Sequence, residues 1–210
     1  MTTAEKVLQL KQDFDEVYEA GKSQGGGDEF YDTFWNQYQS NGSRKHHNYA
    51  FAGDGWDDVT YNPKYDFGQI TYANYMFSGN RITDTLKPVD ISTASATIYS
   101  MFGTSTLLKT IRTITIAEKN VLSGAFNNLT ALEDISFEGV IGCSLDFHWS
   151  TKLTADSLES IVTHLSTRVT GQTITLPTTA ESTYNAKYGE GAWETLTTPI
   201  TNWTFAYLEV

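Results

Sequence analysis

Three carboxylates, Asp54, Asp57 and Asp58, cluster around a glycine. Such a cluster could hold a hard cation such as Ca²⁺, which takes several oxygen ligands from a flexible turn. The spacing departs from the EF-hand loop, where ligands alternate and a glutamate closes the site. Acidic residues in an ordinary turn, where Asp bonds its own backbone, account for the same cluster. Other catalytic signals are sparse. The four histidines are His46, His47, His148 and His164, and the chain has no His-Glu-x-x-His, Gly-x-Ser-x-Gly, Cys-His pair or glycine-rich nucleotide fingerprint. His148, beside Trp149, reads as a packed histidine bonded to backbone, and His164 lies on the polar side of its helix. A glycosidase needs only two carboxylates about 5 to 10 Å apart. A carbohydrate-active enzyme, or a calcium-dependent glycan binder, using Asp54, Asp57 and Asp58 therefore stands as the alternative to a non-enzymatic binding module. That module would use rings: Tyr72, Tyr75, Tyr99 and Trp149 are the candidate contacts, since aromatic side chains supply a large, stiff contact area.

Composition narrows the partners. With 25 acidic against 14 basic residues the 210-residue chain carries a formal charge of −11, which repels a phosphate backbone and argues against nucleic acid. Arg44-Lys45-His46-His47 is the only dense basic group and reads as a solvated loop. Cys143 is the single cysteine, so an intramolecular disulfide is excluded and the thiol reads as a small buried hydrophobe. The polar start, Met1-Thr-Thr-Ala-Glu-Lys, lacks the basic and apolar regions of a secretory signal. No apolar run approaches the roughly 18 residues that cross a bilayer, so no membrane insertion is expected. Sixteen glycines and 13% aromatics point to turns and a packed core and away from disorder.

The elements that would position these residues are repetitive. Phe77, Phe102, Phe126 and Trp149 recur at intervals of 25, 24 and 23 (102−77, 126−102, 149−126). A period of that size marks a solenoid, whose outer loops absorb small insertions while buried positions keep phase. Nine residues after each mark stand Leu86, Ile111, Ile135 and Leu158, all aliphatic. The best copy, Ala125-Phe126-Asn-Asn-Leu129-Thr-Ala-Leu132-Glu-Asp-Ile135-Ser-Phe137, has apolar spacings of three, three and two, as when a bend leads into a short strand.

Met76-Phe77, Met101-Phe102 and Ala125-Phe126, followed by Leu-x-x-Ile, resemble degenerate leucine-rich repeats of the bacterial surface-antigen (BspA-like) type. Thr113 stands where that pattern expects an aliphatic, Thr83 replaces a leucine, and the small position after the Phe is Asn80, Ser105 and Leu129. The resemblance covers roughly residues 72–158. It implies a short leucine-rich-repeat-like β-solenoid and a setting in Gram-positive bacteria and their phages or prophages.

Flanking segments complete an α+β chain. Val7, Leu10, Phe14, Val17 and Tyr18 fall at helical spacing; after Gly25-Gly26-Gly27, Asp28 caps a second helix through Phe30, Phe34, Trp35 and Tyr38. The three glycines read as a flexible turn, since the Gly-Lys-Ser/Thr ending of a phosphate loop is missing. Tyr49 to Asp58, with Ala50-Phe51, reads as a degenerate first coil. Thr154-Ala-Asp156-Ser157 opens a helix to about Arg168, ended by Gly171; residues 173–176 form a strand closed by Pro177, residues 180–187 a short helix, and Trp203 to Tyr207 a last strand. The expected organisation is one continuous domain: an N-terminal helical cap over 1–48, repeat coils over 49–153, and a C-terminal helix/strand cap over 154–210. The expected function is non-enzymatic, with no cofactor: a virion-associated phage or prophage protein, or a cell-surface recognition protein, presenting its repeat surface to a protein or cell-wall glycan. The expected location is the virion after assembly in the bacterial cytoplasm, or the cytoplasm itself.

Overall fold

Residues 110–116 read Thr-Ile-Arg-Thr-Ile-Thr-Ile, and β-branched side chains of this kind pack well on a pleated ladder. The computed structural model describes residues 70–79, 85–86, 88–94 and 97–210, and this run is its central strand, β4 (Thr110–Ile116). Before it come β1 (Thr85–Leu86), β2 (Val89–Asp90) and β3 (Thr97–Tyr99). After it come β5 (Val121–Ser123), β6 (Asp134–Gly139), β7 (Leu145–Asp146), helix α1 (Ala155–Thr163) and β8 (Gln172–Pro177). Helices α2 (Ala180–Tyr188) and α3 (Ala192–Thr197) and strand β9 (Trp203–Leu208) complete the described order. The described chain is thus α+β, with all strand pairs parallel and divided among three small sheets. The expected helices within 1–48, the segment 49–58 with its three aspartates, the basic group at 44–47 and Thr83 lie outside the described residues.

The parallel registers repeat the sequence interval. Leu86 pairs with Ile111 and Ile111 with Ile135; Val89 pairs with Ile114 and Ile114 with Phe137; Thr97 pairs with Val121. A second run of bonds keeps the same offset, with the N–H groups of Tyr75, Phe77 and Gly79 donating to the carbonyls of Tyr99, Met101 and Gly103 at 2.8–2.9 Å. In the next repeat Ser100, Phe102 and Thr104 donate to Ser123, Ala125 and Asn127. The interior follows. Phe77 and Phe102 stack with centroids 5.7 Å apart and planes 3° from parallel, and Phe102 and Phe126 stack at 5.7 Å. All three are buried.

Phe147, and not Trp149, continues that column. Its ring is buried and lies 4.4 Å from Phe126, whereas Trp149 is half-buried with its ring tilted on His148 at 4.8 Å. The last interval therefore contracts to 21 residues, and the rest of the unit agrees: Phe147, Ser150 and Leu153 match Phe102, Ser105 and Leu108, all six buried. In both units the Ser and Leu N–H groups bond the carbonyl three residues back. The small position is explained by its hydroxyl. Ser105 Oγ donates to Phe77 O at 2.5 Å and Ser150 Oγ to Leu129 O at 3.2 Å, each tying its turn to the preceding unit.

Thr113 does not occupy an inward aliphatic position. A register shift between Ile111 and Ile114 makes β4 one residue longer than β6 over this stretch, so Ile114 turns inward and Thr113 lies outside, its hydroxyl 3.1 Å from that of Ser136. Such a bulge re-phases a strand without breaking its ladder. Close stacking also fixes glycine positions. A Cβ on Gly139 would fall 2.0 Å from Ile116 O, at a φ of +90°.

Helix α1 takes the place of a further strand. Thr154 Oγ1 accepts the Ser157 N–H at 3.4 Å, the cap expected from sequence. Ser157 Oγ and Ser160 Oγ accept the N–H groups of Ile135 and Phe137, both at 2.9 Å. Two hydroxyls thus close the open edge of β6. The helix stops at Thr163, five residues before the expected end. Leu165 bridges to Ile141 and Ser166 N–H bonds Ile141 O at 2.8 Å, so tertiary pairing overrides the helical pattern. Helix α3, not anticipated from sequence, buries Trp193, whose ring meets Tyr184 and Phe205 edge-on at 5.5 and 6.2 Å. Among the described residues no helix is long and apolar enough to cross a membrane.

Candidate binding surface

Successive residues of a strand point to opposite faces, and β3 and β5 show this directly. Ile98 and Leu122 are buried, while their neighbours Tyr99 and Val121 are exposed, at 49% and 41%. The outer surface of this two-stranded ladder thus carries an aromatic and an aliphatic side chain, Tyr99 and Val121, beside the hydroxyl residues Thr97 and Ser123. Tyr75 joins it through the backbone, its N–H donating to Tyr99 O at 2.8 Å, and Asn74 Oδ1 accepts the Tyr99 N–H at 2.8 Å. Tyr72 and Tyr75 are half-buried. Tyr75 has a φ of +55°, in the left-handed region where a bulky residue is uncommon.

Of the four rings expected to bind, the backbone brings Tyr75 and Tyr99 side by side, and Tyr99 is the most open. Trp149 lies in the turn after β7, packed on His148. Val121 was not anticipated, although the alternation Val121-Leu122-Ser123 carries the signal for an outward aliphatic.

His148 Nδ1 lies 2.6 Å from Asp146 Oδ1, the oxygen that also accepts the His148 N–H at 3.1 Å. The carboxylate braces a turn here, as Asp90 does by accepting the Ser92 N–H and hydroxyl at 2.9 and 2.6 Å. Among the described residues no hydroxyl or thiol bonds the His148 ring. His164 Nδ1 lies 2.7 Å from Ser160 O within its own helix. Cys143 is buried. Burial pushes its thiol up, partly offset by the Leu122 N–H donating to Sγ at 3.4 Å. A thiol held protonated is a poor nucleophile.

A cluster of titrating side chains joins α1 to α2. Lys187 Nζ pairs with Asp156 Oδ1, and the Tyr188 hydroxyl lies 2.7 Å from the same oxygen and 3.0 Å from Glu159 Oε2. The Lys187 bond, then the Tyr188 bond, holds the Asp156 carboxyl below the usual range, while bonding to Asp156 raises both Lys187 and Tyr188. These groups are solvent-exposed and span two helices, the geometry of a surface brace. Among the described residues no three His, Cys, Asp or Glu side chains are grouped to hold a metal ion; Asp54, Asp57 and Asp58 lie outside them. No protein-family model, curated protein or solved structure matches the chain.

Proposed function

We propose that this chain is a non-enzymatic recognition module: a leucine-rich-repeat-like solenoid whose β3–β5 face binds a protein or a cell-wall glycan through Tyr99, Val121 and Tyr75. The observation that carries this reading is the outward pair Tyr99 and Val121 on a ladder whose inward neighbours are fully packed. Rings and aliphatics on a rigid backbone lose little entropy on contact, so they suit a flat apolar sugar face or a protein hot spot. The registers, offset by 23 to 25 residues, and the phenylalanine column support the solenoid assignment. A virion-associated or cell-surface setting in a Gram-positive bacterium or its phage is the biological context we propose.

The test is retention of the full chain on Gram-positive cells and on purified wall polysaccharides. Tyr99→Ala should cut retention about tenfold, the loss of one aromatic hot spot of about 1.4 kcal/mol. The triple change of Asp54, Asp57 and Asp58 to Asn should leave it intact. Loss confined to the triple change, or a shortened polymer after incubation, would replace this reading with a metal-dependent or hydrolytic one.

A further inference from the structure

The chain treats its strand edges unequally. Along β6 two serine hydroxyls close the edge, but among the described residues β9 is paired on one side only, with β8. Its bonding side is fixed by the register: Leu208 pairs with Pro177, and Leu208 O accepts the Thr178 N–H at 3.2 Å. Alternate residues of a parallel strand bond to the same neighbour, so Thr204, Ala206 and Leu208 face β8. The N–H and C=O groups of Phe205 and Tyr207 then face away, and among the described residues nothing bonds them.

Open edges are ordinarily blocked by charge, proline, a bulge or extreme shortness. Trp203-Thr-Phe-Ala-Tyr-Leu208 has none of these: it is six residues long, uncharged, free of proline and in unbroken register with β8. Tyr207 and Leu208 are 40% and 48% exposed beside it. The surrounding sequence has one sign. From residue 188 to 210 there are three exposed glutamates, Glu190, Glu194 and Glu209, and no Lys, Arg or His. Glu194 lies on α3, whose Trp193 Nε1 donates to the Tyr207 hydroxyl at 2.9 Å, and Glu209 follows the strand directly.

We propose that the β9 edge is a strand-addition site that accepts an extended peptide segment with basic flanks. The incoming main chain would pair with Phe205 and Tyr207, and Lys or Arg on its ends would meet Glu190, Glu194 and Glu209. A second copy of the chain is disfavoured by the same charges, since pairing two β9 edges brings like-charged glutamates together.

The probe is a synthetic peptide of alternating threonine and valine with two lysines at each end, added to the full chain, with amide exchange read residue by residue. Exchange at Phe205 and Tyr207 should slow at least about tenfold at saturation, while Thr204 and Ala206, already bonded to β8, change little. A peptide with glutamates at its ends should bind about tenfold more weakly. The exposed triple change of Glu190, Glu194 and Glu209 to Lys should reverse that ranking without touching the strand. Unchanged exchange at Phe205 and Tyr207 under saturating lysine-flanked peptide would overturn the proposal. So would equal binding of both peptides, or protection that grows with protein concentration alone, which would assign the edge to a second copy.

Discussion

Phe102 is the middle ring of the interior column, and its replacement tests whether stacked repeats carry the stability of residues 70–153. The side chain is fully buried and stacks on two rings, each 5.7 Å away. Phe102→Ala removes the ring and leaves a cavity, which for a buried phenylalanine costs roughly 3 to 5 kcal/mol. Phe102→Leu keeps most of the volume but loses two aromatic contacts at about 0.5 to 1.5 kcal/mol each, a loss of roughly 1 to 3 kcal/mol. Against a typical total of about 5 to 15 kcal/mol either change is measurable by urea unfolding of the full chain. A double-mutant cycle then isolates the stack. Phe77→Leu and Phe102→Leu should couple by about 0.5 to 1.5 kcal/mol, whereas Phe77→Leu and Phe126→Leu, with a ring between them, should add to within about 0.5 kcal/mol. A loss below about 1 kcal/mol for Phe102→Ala, or equal coupling in both cycles, would refute the column as a chain of nearest-neighbour contacts.

The units at Phe77, Phe102 and Phe126 also place a residue in the left-handed region two positions after the phenylalanine: Gly79, Thr104 and Asn128, with φ of +64°, +65° and +59°. Thr104 bears the β-branched penalty of about 1 to 2 kcal/mol there, offset by about 0.5 to 1 kcal/mol of unfolded-chain entropy when glycine replaces it. Thr104→Gly should stabilise by up to about 1 kcal/mol in thermal or urea unfolding, and destabilisation by more than that would contradict the backbone assignment. Asp156 sets a pH dependence. Its folded-state pKa is depressed by Lys187 and Tyr188, so its contribution is complete above the ordinary aspartate range and is lost as pH falls through the lowered value. Asp156→Asn should therefore flatten the acid limb of stability below about pH 4, the ordinary aspartate value, and an unchanged limb there would mean that the brace does not persist in solution.

Much of the interior was legible in the sequence because parallel pairing at a near-constant offset imposes one phase on many buried positions. Leu86, Ile111 and Ile135 fall in register as their spacing requires, and Thr154 caps its helix as its place before Ala-Asp-Ser requires. The misreadings arose where local pattern and tertiary pairing compete. Trp149 kept the 23-residue interval better than Phe147, but a contracted turn puts the smaller ring on the column. Thr113 broke the aliphatic pattern only until the bulge shifted that role to Ile114. Helix α1 stopped early because Leu165 and Ser166 pair with Ile141, and nothing local to those residues encodes a partner more than twenty positions away. The tyrosines were identifiable as rings but not as surface, since the exposure of Tyr99 depends on which side of a three-residue strand it takes.

That alternation would also separate stability from the proposed recognition. Ile98 and Leu122 hold the ladder from inside, and Tyr99 and Val121 ride on the same backbone outside. The N–H and C=O bonds that stack one repeat on the next also fix the spacing of adjacent outer rows at one strand separation, about 4.8 Å. A partner would therefore meet side chains pre-spaced by the fold, with no ordering cost beyond their own rotamers. Outer substitutions should leave unfolding within about 0.5 kcal/mol of the original, so a loss of retention in Tyr99→Ala would report contact with the partner and not a weakened scaffold. Retention and stability falling together would place Tyr99 in the core instead, and would remove the β3–β5 face as a recognition surface.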